Sequence, residues 1–282
     1  MKLLAIPFLI LMSAFSLSAQ KLELRAISFN IRYDSPKDAE EGNGWERRKP
    51  RVAELIRFHQ PDVVGMQEVL KHQAGDLAEV LPNYGWVGVG RDNGKTKGEY
   101  SPIFYRKNKF ELVETETFWL AERTDKPGKS WDAALPRIMT WAKLKVIESG
   151  EEFFVFNTHF DHKGEVARVE SAKLIVKKVE EIAGDSPFVI TGDFNCSPVS
   201  DPFETLVASS LIMDSFLNSE AIPYGPEGSF SSSFEAGKEN QERIDHIFVR
   251  SGAKVIKCAV LTDNYRGKYP SDHLPVLADI EF

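Results

Sequence analysis

Pro187-Phe188-Val189-Ile190-Thr191-Gly192-Asp193-Phe194-Asn195 is the stretch around which the chain can be read. Pro187 to Ile190 is a short apolar run with the length and flanking residues of a buried strand. Such a strand delivers Asp193 and Asn195, two residues apart, to one side of its C-terminal end. Gly192 between them lets backbone or a ligand come close. A carboxylate beside an amide suits a hard cation and an anionic oxygen, since Asp carries charge or takes a proton while Asn donates hydrogen bonds without adding charge. Gly-Asp-x-Asn is equally ordinary turn chemistry. What separates the two readings is whether other strand ends bring matching groups.

They do. The strand-like run 22–31 closes at Asn30, and 62–66 is followed by Gln67-Glu68. The run 153–160 ends in Asn157-Thr158-His159-Phe160-Asp161, 244–249 carries Asp245-His246 at its edge, and Asp272-His273 precedes 274–282. Turns chosen only for bending would share these places with Gly, Ser and Lys. Helical spacing appears at 50–59, with Val52, Leu55, Ile56 and His59, at 70–81, at 164–183, whose stripe runs from Val166 to Ile182, and briefly near 203–207. Between the helices, 85–90, 101–105, 110–120 and 138–147 read as consecutive strands without crossover helices. This order predicts an α+β fold, a four-layer αββα sandwich of two packed sheets flanked by helices. A single doubly wound sheet fits worse.

Composition bounds the rest. The chain has 282 residues, 42% hydrophobic and 27% charged, enough for an ample core. No linker-like tract or internal repeat breaks it, so residues 20–282 read as a single domain. Residues 1–19 read as a secretory signal: Lys2, an apolar run from Leu3 to Leu17, then Ser18-Ala19. That stretch is too short and wrongly flanked for a stable membrane anchor. An exported, periplasmic or secreted, soluble chain is therefore expected. Its two cysteines, Cys196 and Cys258, make no disulfide framework and read as buried free thiols. The net charge of −7 argues against a broad basic surface for gripping nucleic acid. A nuclease is still compatible with it, because a bound divalent cation neutralises a local acidic site.

In order, SFNIRYD (28–34), GMQEV (65–69), NTHFDH (157–162), TGDFN (191–195), RIDHIFV (243–249) and SDHLPV (271–276) closely resemble the motifs of the endonuclease/exonuclease/phosphatase superfamily. That group includes pancreatic-type deoxyribonuclease, abasic-site endonucleases, inositol polyphosphate 5-phosphatases and secreted sphingomyelinases. The resemblance runs from about Leu22 to Phe282. The ordered set is specific, whereas any single member is not. It implies the same αββα sandwich and a metal-dependent phosphoesterase with Mg²⁺ as cofactor and Mn²⁺ as a possible substitute.

Residue by residue, Glu68 on its own terms could simply cap the following helix. By resemblance it is the main carboxylate ligand of Mg²⁺, and Mg²⁺ takes few protein carboxylates. Asn30 matches the family Asn beside the metal, against a bland reading as a turn amide, and Asp272 serves the same metal site. A His that follows an Asp, with another Asp arriving from a neighbouring strand, suits a carboxylate-oriented base. By resemblance Asp245 pairs with His273, which takes a proton from water, Asp193 helps place or deprotonate that water, and Asn195 holds a phosphate oxygen. His159 would lie across the phosphorus and help the leaving oxygen depart. Aligning GEYSPIFYR (98–106) by the resemblance makes Glu99 the carboxylate partner of His159. His162 and His246 read as local hydrogen-bonding residues. Arg137 either binds phosphate bidentately or pairs with a surface acid.

The substrate class stays open. Trp119 and Trp131 could stack on a base or sugar or belong to the core, with core favoured for at least one. No long basic loop tracks a phosphate backbone, and no aromatic hairpin offers itself to a membrane. A small or flexible phosphoester is therefore expected over duplex DNA, on a monomer with no obligate protein partner. The alternatives are a nuclease acting on DNA or RNA, and a catalytically silent binding module on the same fold. A Ser esterase lacks its Gly-x-Ser-x-Gly elbow.

Overall fold

A computed structural model describes residues 21–238 and 242–282. The expected signal at 1–19 lies outside them. The first sheet contains β1 (Glu23–Asn30), β2 (Val63–Gln67), β3 (Tyr84–Val87), β4 (Ile103–Arg106), β11 (Lys254–Val260) and β12 (Val276–Glu281), in the order β11-β12-β1-β2-β4-β3. The second contains β5 (Phe110–Trp119), β6 (Ile138–Val146), β7 (Glu152–His159), β8 (Phe188–Asp193), β9 (Ile212–Asp214) and β10 (Asp245–Arg250), in the order β5-β6-β7-β8-β10-β9. Helices α1 (Pro36–Glu40), α2 (Trp45–His59) and α3 (Lys71–Val80) belong to the first half of the chain, α4 (Glu165–Ala183) and α5 (Asp201–Val207) to the second. Among the described residues no helix is long and apolar enough to cross a membrane.

The layering follows from strand alternation. Leu24, Ala26, Val63 and Ile103 of the first sheet share one core with Phe153, Val155, Val189, Ile247 and Val249 of the second. Their odd-stepped neighbours Ile27, Phe29, Val64 and Met66 turn outward to Val52, Leu55, Ile56 and Leu77 of α2 and α3. On the other side Phe156, Phe188, Ile190 and Phe248 meet Ile175 and Val179 of α4. Four layers result, as the order of elements predicts.

The same period of two decides where the polar strand ends point. Counting by twos from Ala26 reaches Asn30, from Val155 reaches Asn157 and His159, from Val189 reaches Asp193, and from Ile247 reaches Asp245. All of these therefore face between the sheets. Below them a buried network joins the two sheets. Asn157 Oδ1 accepts from Gln67 Nε2 at 2.6 Å and Thr191 Oγ1 at 3.0 Å, and Asn157 Nδ2 donates to the carbonyls of Met66 and Pro102.

Two sequence expectations need adjusting. Pro50 suggested a helix start, yet α2 begins at Trp45 and carries Pro50 inside it. The edge strand β9 and the short α1 carry too few residues to show a period. Cys196 and Cys258 are buried free thiols, as two cysteines that make no disulfide framework suggested.

Candidate active site

Strand register assembles the site. His159 on β7, Asp193 on β8 and Asp245 on β10 are direct cross-strand partners, so three side chains stand in one row. From the other sheet, Asn30 ends β1 opposite Gln67, and Glu68 follows immediately. The Ser271–His273 segment is bound back to β1, with Ser271 Oγ donating to the Asn30 carbonyl at 2.7 Å. A cavity of about 430 Å³ between the sheet ends is lined by Glu68, His159, Asp193, Asn195, Asp272 and His273, together with Arg32, Arg91, Glu99, Arg137, His162 and Phe230.

The turns leaving the strands are under local constraint. Arg32, Glu68 and Asn195 all have positive φ, at 59°, 60° and 47°. For non-glycine residues that conformation is uncommon and clusters where side chains must be aimed. Two of the three are held by the same device, an Asx turn. Asn30 Oδ1 accepts from the Arg32 amide at 2.9 Å, and Asp193 Oδ1 accepts from the Asn195 amide at 3.0 Å.

Asp193 Oδ2 is the centre of the site. Asn30 Nδ2 donates to it at 2.9 Å, His159 Nε2 lies at 3.3 Å and His273 Nε2 at 3.7 Å. On its far side the His273 ring donates from Nδ1 to Asp245 Oδ2 at 2.8 Å, an atom that also accepts from Ser229 Oγ at 2.7 Å. A carboxylate can only accept, so the Nδ1 proton of His273 is fixed. Phe230 packs on the ring at 4.8 Å between centroids. Burial and then neighbouring Asp245 push Asp193 up to about 7. Burial opposes charge on His273, but Asp245 and Asp193 outweigh it and raise the imidazole to about 10.

Glu68 and Asp272 form a second carboxylate group. Glu68 Oε1 accepts from Asn30 Nδ2 at 3.1 Å and Oε2 from the Tyr33 amide at 3.2 Å. Arg32 Nη1 lies 4.0 Å from Glu68 Oε2 and 3.5 Å from Asp272 Oδ2, so both acids already face one positive charge. Burial raises the Asp272 carboxyl, with Glu68 adding to the rise. Two hard oxygen donors crowded at a cavity wall fit a divalent cation. Asp193, Asp245 and His273 also lie close enough to one another to hold an ion. However, the Asp245–His273 contact in that group is already a hydrogen bond, which leaves Glu68 and Asp272 as the better donor pair. Asn30 gives its NH₂ to Glu68 and Asp193 while its oxygen is engaged by the Arg32 amide, so it orients those two acids instead of offering a free ligand oxygen.

The pairing of Glu99 with His159 is not what the structure shows. Both Glu99 oxygens are taken by Arg91, at 2.7 and 2.8 Å, because a guanidinium fork matches a carboxylate edge. His159 Nδ1 is buried without a hydrogen-bond partner among the described residues. Asn195 Nδ2 lies 3.1 Å from His159 Nε2 and donates to the Phe160 carbonyl at 3.0 Å. Burial, then Arg137 and Arg91, hold the His159 ring neutral. A neutral ring takes part as a hydrogen-bond partner and not as a charged acid.

Arg137 is almost wholly buried. Nε donates to Asp161 Oδ2 at 3.3 Å and Nη2 to His162 Nδ1 at 3.0 Å, so its acid partner is internal and not on the surface. His246 plays the local part expected of it: Nδ1 accepts from Arg243 and Nε2 donates to the Cys196 carbonyl at 2.9 Å. Trp119 is core, its Nε1 donating to the Arg91 carbonyl at 2.8 Å, and Trp131 does not line the cavity. Arg32 and Arg91 line it without having been singled out in the sequence. Arg32 sat inside the SFNIRYD motif, whereas Arg91 lies in a turn-rich stretch with no periodic signal.

The sequence matches the Endonuclease/Exonuclease/phosphatase family over residues 27–273. A mannosyl-6-phosphatase from Bacteroides thetaiotaomicron VPI-5482 superposes with a TM-score of 0.89 at 41% identity, covering 92% of this chain and 100% of that one. A family protein from Bacteroides vulgatus gives 0.88 at 45%, covering 93% and 100%. Nocturnin of Drosophila melanogaster is 26% identical across 86% of this chain and 43% of its own length, so the chain spans about half of that relative. With the fold, the converging strand ends and these likenesses in agreement, the chain belongs to the endonuclease/exonuclease/phosphatase family of metal-dependent phosphoester hydrolases.

Proposed function

We propose that this chain hydrolyses small phosphoesters by direct attack of water on phosphorus, as a monomer exported under the signal at 1–19, with Mg²⁺ as its ion. The observation that carries the reading is Asp193 Oδ2, which faces Asn30, His159 and His273 at the floor of one cavity. Glu68 and Asp272 would hold the ion. Held there, an ion would supply Lewis-acid stabilisation of charge on the phosphoryl oxygens. The likeness to a protein named mannosyl-6-phosphatase supports a small substrate.

The chain's own groups divide the work. Flanked by Asp245 and Asp193, whose charges favour the protonated ring, His273 is placed to act as a positive donor beside the phosphorus. Asp193, raised into the neutral range, is the group whose proton affinity suits a base. Asp245 holds the His273 ring in register. Asn195, tied to Asp193 through its backbone amide, holds a phosphate oxygen. With its proton on Nε2, His159 donates to Asp193 Oδ2, and Nε2 then cannot also accept from Asn195 Nδ2.

The test is a substrate panel with Mg²⁺ or Mn²⁺ and an EDTA control, run on the native chain, Asp193→Asn and His273→Ala. The panel covers bis-p-nitrophenyl phosphate, sugar phosphates, inositol phosphates, sphingomyelin, plasmid DNA and RNA. Each substitution is expected to lower turnover by at least ~10²-fold. Unchanged turnover in Asp193→Asn, or activity only on plasmid DNA, would overturn the reading.

A further inference from the structure

Opposite the Glu68–Asp272 wall, the cavity carries cations that the hydrolytic groups do not use. Arg137 is 4% exposed, and its Nη1 is buried with no hydrogen-bond partner among the described residues. A guanidinium left with an open donor in a buried place is costly until an acceptor arrives. Asp161 only partly balances it, because that carboxylate is also spent on the amides of Leu135, Lys163 and Gly164. Arg91 behind it is matched by Glu99, and its Nε too is buried without a partner.

His162 extends the same wall. The guanidinium of Arg137 can only donate, so His162 Nδ1 must accept the 3.0 Å bond. The neutral ring therefore keeps its proton on Nε2, at an exposed residue that lines the cavity. Arg137 and His162 both line the cavity, and among the described residues neither Arg137 Nη1, buried just behind its surface, nor His162 Nε2 has a hydrogen-bond partner.

We propose that Arg137 and His162, backed by Arg91, form a subsite for the free oxygens of a terminal phosphate, which makes the enzyme select phosphomonoesters over phosphodiesters. This rests on the phosphoester-hydrolase reading above. A monoester near pH 7 carries close to two negative charges and three terminal oxygens. If one oxygen meets the ion that Glu68 and Asp272 would hold and one meets Asn195, a third remains, and it needs a charged donor. A diester replaces that oxygen with an O–R group, which brings no charge and leaves Arg137 Nη1 buried without an acceptor. Discrimination thus comes from the penalty on the wrong substrate as much as from the gain on the right one.

The experiment compares kcat/KM on p-nitrophenyl phosphate and a hexose 6-phosphate with that on bis-p-nitrophenyl phosphate, with Mg²⁺, for the native chain, Arg137→Gln and His162→Ala. Calorimetric binding of inorganic phosphate to the EDTA-treated proteins supplies a readout that needs no turnover. The native chain is expected to prefer the monoesters. Arg137→Gln is expected to lose about 10²-fold on the monoesters, chiefly through KM, and less than about threefold on the diester. His162→Ala, at an exposed position that leaves folding intact, is expected to lose about tenfold on the monoesters and to weaken phosphate binding in step. Equal losses on both substrate types, or phosphate affinity unchanged in His162→Ala, overturn the subsite. A native chain that prefers the diester also overturns it while leaving hydrolysis standing, and one that cleaves none of the three overturns the functional reading itself.

Discussion

A methyl group at Gly65 would fall 1.8 Å from Thr191 Oγ1 and 2.6 Å from Asn157 Oδ1. Those two atoms belong to the polar network that joins the sheets beneath the site, so no side chain fits without separating them. Gly65→Ala is expected to destabilise the protein by about 1–3 kcal/mol, as overpacking of a tight interior does, and to lower turnover because Thr191 and Asn157 lie next to Asp193 and His159 in their strands. A urea midpoint shift with an unchanged slope would register the first effect; a midpoint equal to the native one would show that the sheets can part freely. At this scale Asp193, Asp245 and His273 could be read from the sequence, because each sits at a strand end inside a recognisable motif. Glu99 was misread for a physical reason. The resemblance placed it beside His159, but whether it meets His159 or Arg91 depends on a guanidinium eight residues away along a turn, and no period records that. Arg137 was undecided for the same reason, its partners Asp161 and His162 lying on a different strand's exit.

Among the elements, α2 does more than cover the first sheet. Its Arg48 is buried and donates to the carbonyls of Ile31, Arg32, Tyr33, Asn43 and Pro270. Three of those carbonyls belong to the turn after β1 and one to the segment before Asp272, so a single guanidinium ties the turn whose Tyr33 amide holds Glu68 to the loop that carries Asp272. Burial lowers its proton affinity to about 10, with Asp272 and Asp38 opposing the drop, and Arg48 stays charged at neutral pH. Arg48→Met keeps the volume and leaves the carbonyls without donors. A loss of at least about 2 kcal/mol is expected, together with weaker binding of Mg²⁺ or Mn²⁺ by calorimetry, since Glu68 and Asp272 would no longer be held in place. Native-like metal affinity in a folded variant would separate the clamp from the site. The helix itself was legible from Val52, Leu55 and Ile56, but its first turn was not. Pro50 suits a helix start so well by its fixed φ that the five residues before it, anchored by Trp45 in the core and its Nε1 bond to Asp76 at 2.7 Å, gave no local sign.

For the whole molecule, the order of strands and helices was enough to read two sheets, and in the structure the residues that build the shared core and those that build the site are the same series counted by twos. The edge of the second sheet was not legible, since β9 is three residues long and is held by charge as well as by pattern. There Asp214 accepts from Arg243 at 2.9 and 3.0 Å, with both side chains buried. Burial alone would raise the Asp214 carboxyl; Arg243 outweighs it and brings it down to about 2. A carboxyl depressed in the folded state contributes stability that is present above its unfolded value, near 4, and is lost as pH falls through the folded value. About two pH units of depression correspond to about 3 kcal/mol, an upper range for a pair whose desolvation is already severe. The native chain is therefore expected to lose stability between about pH 4 and pH 2. Asp214→Asn should be weaker than the native chain at pH 6 and should approach it as pH falls toward 2. Urea unfolding followed at pH 6, 4 and 3 gives both curves. If the gap between them stays constant across that range, the Asp214–Arg243 pair is not what fastens this edge of the sandwich.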